Sequence, residues 1–168
     1  WPAWEWLSAP WTRWVFASYT QSLSTRDSLA ARRLLQSTGG RPGGTIFQRL
    51  GYAGVLALLD KDPWRIEGDQ NAKVRFDNTA AGFRLATSVD GMATGEGGER
   101  IVVDDPVNPK QARSELLRDR ANRWWDETMT TRFNNAYSTG VVVMQRLHED
   151  DLTGHLLRRG GWHHLCLP

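Results

Sequence analysis

Short, nearly unbroken apolar runs alternate with longer amphipathic stretches along this chain, and that rhythm predicts most of its elements. WVFAS at 14–18 reads as a buried strand. Ser24 and Asp27 have the S-x-x-D spacing of a capping box, and Leu29, Ala30, Arg33 and Leu34 continue a helix to an end at Gln36. Residues 38–51 are rich in glycine, contain Pro42 and read as a loop. AGVLALL at 53–59 suits a short helix or a strand, because periodicity does not separate the two over so few residues. KDPW at 61–64 reads as a turn.

AKVRFD at 72–77 and GFRLATS at 82–88 alternate as strands, and NTAAG between them predicts a hairpin. DGMATGEGG at 90–98 is a glycine-rich loop. IVVDD at 101–105 is a buried strand that ends in two carboxylates, with Pro106 stopping the pairing. Asn108 suits an N-cap with Pro109 at the first helical position. That helix is predicted to run to about Phe133, with Leu116, Leu117, Ala121, Trp124, Trp125 and Met129 on its apolar face. Tyr137 to Gly140 then turns the chain into a strand VVVMQ at 141–145. A helix follows over His148 to Arg159, stopped by Gly160 and Gly161, and HLCL at 164–167 reads as a last strand. No internal repeat is visible. Continuous apolar strands separated by helices predict an α/β fold: a mostly parallel sheet covered on both faces, with an antiparallel component.

The chain has 168 residues, enough for one domain with a sizeable core, and its 40% hydrophobic and 24% charged residues are ordinary for a globular protein. No apolar stretch reaches the roughly 18 residues of a membrane helix. The amino end, WPAWEW, has neither the basic region nor the apolar block of a secretory leader. The single cysteine, Cys166, excludes an internal disulfide and fits a reducing compartment. Residues 1–66 carry eight basic against four acidic side chains, and the remainder 13 against 15. Arg26, Arg32, Arg33, Arg41 and Arg49 concentrate the positive charge, which suits phosphate contacts or a solvated helix face. Five of the nine tryptophans fall in the first 14 residues. A freestanding domain rarely begins on so apolar a stretch, so the chain is expected to start inside a larger domain.

The candidate chemistry centres on the two acids of IVVDD. In a nucleotide hydrolase Asp104 would hold Mg²⁺, largely through water, and Asp105 would orient or deprotonate the attacking water. Two acids at a strand end also make turns and cap helices. Gln145 and Arg146 emerge at the end of the second apolar strand, beside the acids if the two strands are neighbours. The glutamine amide both donates and accepts, so it can sense a γ-phosphate or its water. Arg146 can bond phosphate oxygens or pair with Glu149 or Asp150. Asp150 and Asp151 suit the first turn of the following helix. The loop at 90–98 has neither G-x-x-x-x-G-K-[ST] nor GxGxxG, and Lys73 and Lys110 lack that context, so the phosphate-cradling loop is expected to lie outside this chain. His155, His163, His164 and Cys166 match no common zinc spacing.

GFRLATSVDGMATGEGGERIVVDDPVNPK at 82–110 and VVVMQRLHEDDLTGHLLRRGGWHHLCLP at 141–168 resemble the ATPase domain of tailed-phage terminase large subunits. WPAWEW, FASYTQSLSTRDSLAARRLLQS and GDQNAKVRFDN resemble it too, in the same order. The resemblance implies a P-loop NTPase-type (ASCE) sheet, ATP and Mg²⁺ as cofactors, and a place in the motor that drives double-stranded viral DNA into a procapsid. It makes Asp104 the Walker B metal acid, and Asp105 stands where a catalytic glutamate is usual. Gln145 and Arg146 match the coupling segment, and Thr94, Gly95 and Gly97 the glycine-rich segment before Walker B. It further implies a portal and a small terminase subunit as partners, a homo-oligomeric ring, no membrane, and the cytoplasm of a bacterial host with transient docking on the procapsid. Walker A lies just upstream of a WPAWEW-like segment in that family and a metal-dependent nuclease follows the ATPase domain. Residues 1–168 are therefore expected to be a partial ATPase domain that is inactive alone. Residues 38–66 depart from the family and read as an insertion or a reading-frame slip. The alternatives are another P-loop ATPase or helicase fragment, and a non-catalytic remnant that binds DNA or a capsid protein.

Overall fold

The computed structural model describes residues 1–89, 91 and 95–167. Its centre is a six-stranded mixed sheet flanked by helices, in the order β2-β3-β4-β1-β5-β6. The strands are β1 (Trp14–Ser18), β2 (Ile66–Asn71), β3 (Arg75–Asn78), β4 (Phe83–Ser88), β5 (Arg100–Asp104) and β6 (Thr139–Val143). The four strands β4, β1, β5 and β6 run parallel, while β2 and β3 add the antiparallel part. The helices are α1 (Pro2–Glu5), α2 (Gln21–Leu35), α3 (Ile46–Leu58), α4 (Glu115–Trp124) and α5 (Leu152–Arg159).

Alternation along the central strands sends side chains to two cores. Val15, Ala17, Ile101 and Val103 join Trp124, Trp125, Met129, Leu152 and Leu156 of α4, the turn after it and α5. Trp14 and Val102 face the other way and meet Trp6, Leu35, Tyr52, Val55, Leu56 and Phe76. Both faces of β1 and β5 are thus covered, which is why their sequences are apolar without alternation.

Trp6 anchors the second core. It is fully buried, with its ring edge-on to Trp64 and Phe76 at 5.5 and 6.1 Å between centroids. Its Nε1–H donates to the Thr12 carbonyl at 2.8 Å. Truncating it removes a large apolar surface and two aromatic pairs, so Trp6→Ala is expected to cost about 3–5 kcal/mol, read from chemical denaturation.

Several elements differ from their sequence signals. Helix α2 starts at Gln21, not at a capping box on Ser24; the Ser24 hydroxyl sits inside the helix and donates to the Phe16 carbonyl. Residues 38–51 are not wholly loop. The genuine capping box joins Thr45 and Gln48, whose side chains each accept from the other's backbone N–H, and it opens α3. AGVLALL is helical, and α3 is kinked at Gly51, where φ is 72° and an added Cβ would strike the backbone of Ser37 and Thr38. Tyr52 follows and ties this helix to the amino end by donating its hydroxyl to the Ala3 carbonyl at 2.7 Å. Burial raises the Tyr52 phenol well above its ordinary value.

The long helix expected from Asn108 to Phe133 is broken. Asn108 does accept from the Gln111 N–H at 2.9 Å, but that cap opens only a 3₁₀ turn at Gln111–Arg113. Chain direction resets at Ser114 before α4 begins. A π turn at Trp125–Met129 and a 3₁₀ turn at Thr130–Arg132 complete the segment. The wider π turn lies where two successive tryptophans, Trp124 and Trp125, are both buried in the core. Leu116, assigned to the apolar face, is exposed. The strand read at 141–145 begins two residues earlier, at Thr139, and the turn read at 137–140 shortens accordingly. Helix α5 starts at Leu152 rather than His148, because Asp151 caps it by accepting from the Gly154 N–H at 2.9 Å. HLCL at 164–167 forms no strand; Leu165 and Leu167 are exposed beside the sheet edge.

The amino-terminal end of the sheet is held by Glu99. Burial alone would raise its pKa, but hydrogen bonds from the Arg13 guanidinium and backbone N–H and from Asn134 hold it at about 2. A carboxylate with a depressed folded pKa stabilises above its unfolded value and loses that contribution as pH falls through the folded value. The Glu99 contribution is therefore present above about pH 4.5 and declines from there towards pH 2. Urea midpoints measured over that window are expected to fall more steeply in the parent protein than in Glu99→Gln.

Candidate site at the carboxyl ends of the strands

Strand β1 places Ser18 and β5 places Asp104 at matching levels, since the two residues are register partners in the parallel pair. Asp104 also pairs in register with Val143 of β6. The sequence condition that β5 and β6 be neighbours is thus met, and the acids emerge where open α/β sheets bind ligands.

Asp105 continues beyond the strand in an unusual backbone state. Its φ is 44°, in the left-handed region that side-chain-bearing residues seldom adopt. It is held there from both sides. Its N–H donates to the Val143 carbonyl at 2.9 Å, and its carbonyl accepts from the Tyr19 N–H at 3.1 Å. A conformation this costly persists where the surroundings over-determine it, and such residues cluster at ligand sites. The constraint fixes the direction in which the Asp105 carboxylate leaves the sheet.

Asp104 is solvent-exposed, yet its carboxyl is pushed above the ordinary value. Partial desolvation is the largest cause, followed by the negative charges of Asp105 and Asp27, and Arg26 opposes them. Arg26 and Asp27 come from the second turn of α2 and form an ion pair at 2.9 Å. Sequence reasoning placed neither beside the acids: Asp27 was assigned to a helix cap and Arg26 to a general concentration of positive charge, and the only pointer to their real place was that α2 follows β1 directly. The resulting group is rich in carboxylate oxygen and short of positive charge. That donor set suits a hard divalent cation, which would relieve the repulsion that raises the Asp104 pKa. Among the described residues no cluster of three or more His, Cys, Asp or Glu side chains is arranged to ligate a metal alone. A cation here would need water or ligand oxygens to complete its shell.

The other expected site residues are dispersed. Gln145 lies two residues past the end of β6, exposed, and lines a cavity along the outer edge of that strand. Arg146 lines the same cavity, but its Nε donates to Asp151 at 3.1 Å. The pairing expected with Glu149 or Asp150 is therefore made with Asp151, because Asp151 is the helix cap and is buried against the turn. Gly95 and Gly97 precede β5, at its amino-terminal end, whereas Asp104 closes its carboxyl end. Five residues of strand, about 17 Å, separate the two ends. Gly97 packs there against Asn134 and the Arg132 carbonyl, and Gly98 donates to that carbonyl at 2.9 Å. The structure therefore does not place Gly95 or Gly97 with the acids. Thr94 lies outside the described residues.

No helix of the described residues is long and apolar enough to cross a membrane. No protein-family model matches the chain, and no curated protein is significantly similar to it.

Proposed function

We propose that this chain supplies the metal-acid strand and the coupling strand of an ATPase, in a P-loop NTPase-type domain of the tailed-phage terminase large-subunit kind. The observation that carries the reading is the end of β5: two successive carboxylates, the second locked at positive φ by backbone bonds to Val143 of β6 and to Tyr19 just past β1. In this reading Asp104 holds Mg²⁺, and Asp105, with its backbone fixed, orients the water that attacks the terminal phosphate. Bound Mg²⁺ supplies charge neutralisation to the phosphates. Gln145, on the adjacent strand end, senses the nucleotide and passes its state to β6 and α5. Arg146 serves the same coupling through its bond to the α5 cap rather than as a phosphate ligand. Gly95 and Gly97 have no part in the site.

The intact motor would act on double-stranded viral DNA in the cytoplasm of a bacterial host, as a homo-oligomeric ring docked on the portal of a procapsid and served by a small terminase subunit. The sequence contains no lysine-bearing phosphate loop. The 168-residue chain is therefore expected to hydrolyse ATP no faster than a buffer blank in a phosphate-release assay, while a motor containing it hydrolyses ATP in the presence of DNA. Robust hydrolysis by the 168-residue chain, lost on Asp104→Ala, would overturn the reading. A non-catalytic DNA-binding remnant is the second reading, favoured by the exposed Trp4 and Trp11. It predicts salt-dependent DNA binding that is indifferent to nucleotide.

A further inference from the structure

Helix α4 and the π turn after it present a polar face to α5. Residues 115, 118, 119, 122, 123 and 126 recur at helical spacing, and with Asp150, His155 and Arg158 they line a cleft of about 470 Å³. That volume is in the range of small-molecule sites. Part of the charge in its wall is neutralised in place. Asp126 meets His155 Nε2 at 3.0 Å and the Arg159 guanidinium, and Asp150 pairs with Arg158 at 3.1 Å. Four charged side chains remain: Glu115, Arg118, Asp119 and Arg123. None of them makes an ion pair with a described residue.

Arg118 is the unusual member. It is 7% exposed, and its Nη1 donates to the Ala112 carbonyl at 2.8 Å, while Nε is buried with no acceptor. A buried guanidinium is ordinarily matched by an anion. One turn on, Asn122 is 8% exposed, and its orientation is set by Nδ2 donating to the Asp150 carbonyl at 3.2 Å. Its Oδ1 is then buried with no donor. Two buried side chains of one wall thus hold an unmet donor and an unmet acceptor. At the exposed rim, Glu115 and Asp119 stand four residues apart on the helix, where like charges repel. A simple anion would face those two carboxylates, and a simple cation would face Arg118 and Arg123. A ligand that carries both signs matches all four.

We propose that the cleft between α4 and α5 binds a small zwitterion of the α-amino-acid class. Its carboxylate accepts from Arg118 and Arg123, and its ammonium donates to Asn122 Oδ1, Glu115 and Asp119. Asp104 and Asp105 are not in the wall, so the proposal holds whether or not that strand end binds ATP.

The test uses the 168-residue chain and three probes of similar size: L-alanine, L-lactate, which lacks the ammonium, and isopropylamine, which lacks the carboxylate. By calorimetric titration L-alanine is expected to bind about tenfold more tightly than either of the others. In a heteronuclear NMR titration the signals of the Arg118 Nε–H and the Asn122 side-chain amide are expected to move. The double variant Glu115→Gln, Asp119→Asn alters only exposed side chains and is expected to weaken L-alanine about tenfold. Arg118→Met is expected to abolish binding. If that variant fails to fold, the exposed pair still decides. Equal binding of the three probes overturns the proposal, as do NMR shifts that avoid Arg118 and Asn122. No saturable binding of L-alanine also overturns it and leaves the two unmet groups to a buried water.

Discussion

Asp104→Ala in the intact motor is expected to lower the rate of ATP hydrolysis by about three orders of magnitude, with DNA binding retained. Mg²⁺ held at this carboxylate would contribute several kcal/mol to the transition state, and each 1.36 kcal/mol is a factor of ten. Asp105→Ala is expected to cost about 10²–10⁴-fold, the range for a group that handles the attacking water's proton. The two variants differ in their metal response. Raising Mg²⁺ should partly restore a variant with a weakened metal site, such as Asp104→Asn, but not Asp105→Ala. The pH profile adds a sign. The Asp104 carboxyl is raised by partial desolvation and then by Asp105 and Asp27. At limiting Mg²⁺, where protons compete with the cation for this carboxyl, the acid limb of activity is therefore expected at a higher pH than an unperturbed carboxyl would give. Asp27→Asn removes one negative neighbour, favours ionisation of Asp104 and moves that limb to lower pH. A steady-state ATPase assay across pH measures all of this. Normal hydrolysis by Asp104→Ala would remove the metal-acid assignment.

Asp151→Ala is expected to destabilise the domain by about 2–4 kcal/mol, the cost of removing a helix cap and of leaving the backbone donors around a buried carboxylate unmatched. The Asp151 side chain is 1% exposed. One oxygen accepts from the Arg146 Nε at 3.1 Å and from the backbone N–H groups of Leu147 and His148 at 3.2 and 3.4 Å. The other accepts from Gly154 at 2.9 Å as the cap of α5. One carboxylate thus satisfies four donors, and alanine satisfies none. At about 2–4 °C per kcal/mol for a domain of this size, the midpoint should fall by roughly 10 °C in a thermal melt. Asp151→Asn is expected to cost less, because its amide oxygen can keep the cap, although its NH₂ accepts from none of the other three donors. Glu149→Ala and Asp150→Ala, the partners expected for Arg146 from spacing, should change the midpoint little, since Asp150 is exposed and paired at the surface with Arg158. A melt of Asp151→Ala that matches the parent would show that this network holds nothing.

Legibility varied with how local the signal was. WVFAS and IVVDD were readable because a strand buried on both faces must be apolar throughout, and β1 and β5 are. The hairpin of β3 and β4 was readable from alternation and the short NTAAG turn. The capping box was misplaced because S-x-x-D at 24–27 and T-x-x-Q at 45–48 satisfy the same local pattern. Only the packing of Ser24 under the β1 backbone and of α3 in the second core separates them. The break at Ser114 and the π turn have no local signature; the π turn lies where Trp124 and Trp125 both enter one core. HLCL has strand composition, but no neighbour pairs with it, and a strand does not exist without one.

Two acids at the end of a buried strand, and Gln145 and Arg146 at the end of another, were determined by sequence alone, because residue order along a strand fixes which side chains emerge at its carboxyl end. Tertiary structure decided which strand ends lie side by side, that Asp27 joins Asp104, that Gly97 sits at the far end of β5, and that Arg146 belongs to Asp151. The physical reason is range. Burial and backbone sterics act within a few residues and leave a pattern, whereas strand order and the seating of α2 and α5 are settled by burying two whole cores at once. Each core draws its side chains from segments scattered along the length of the chain.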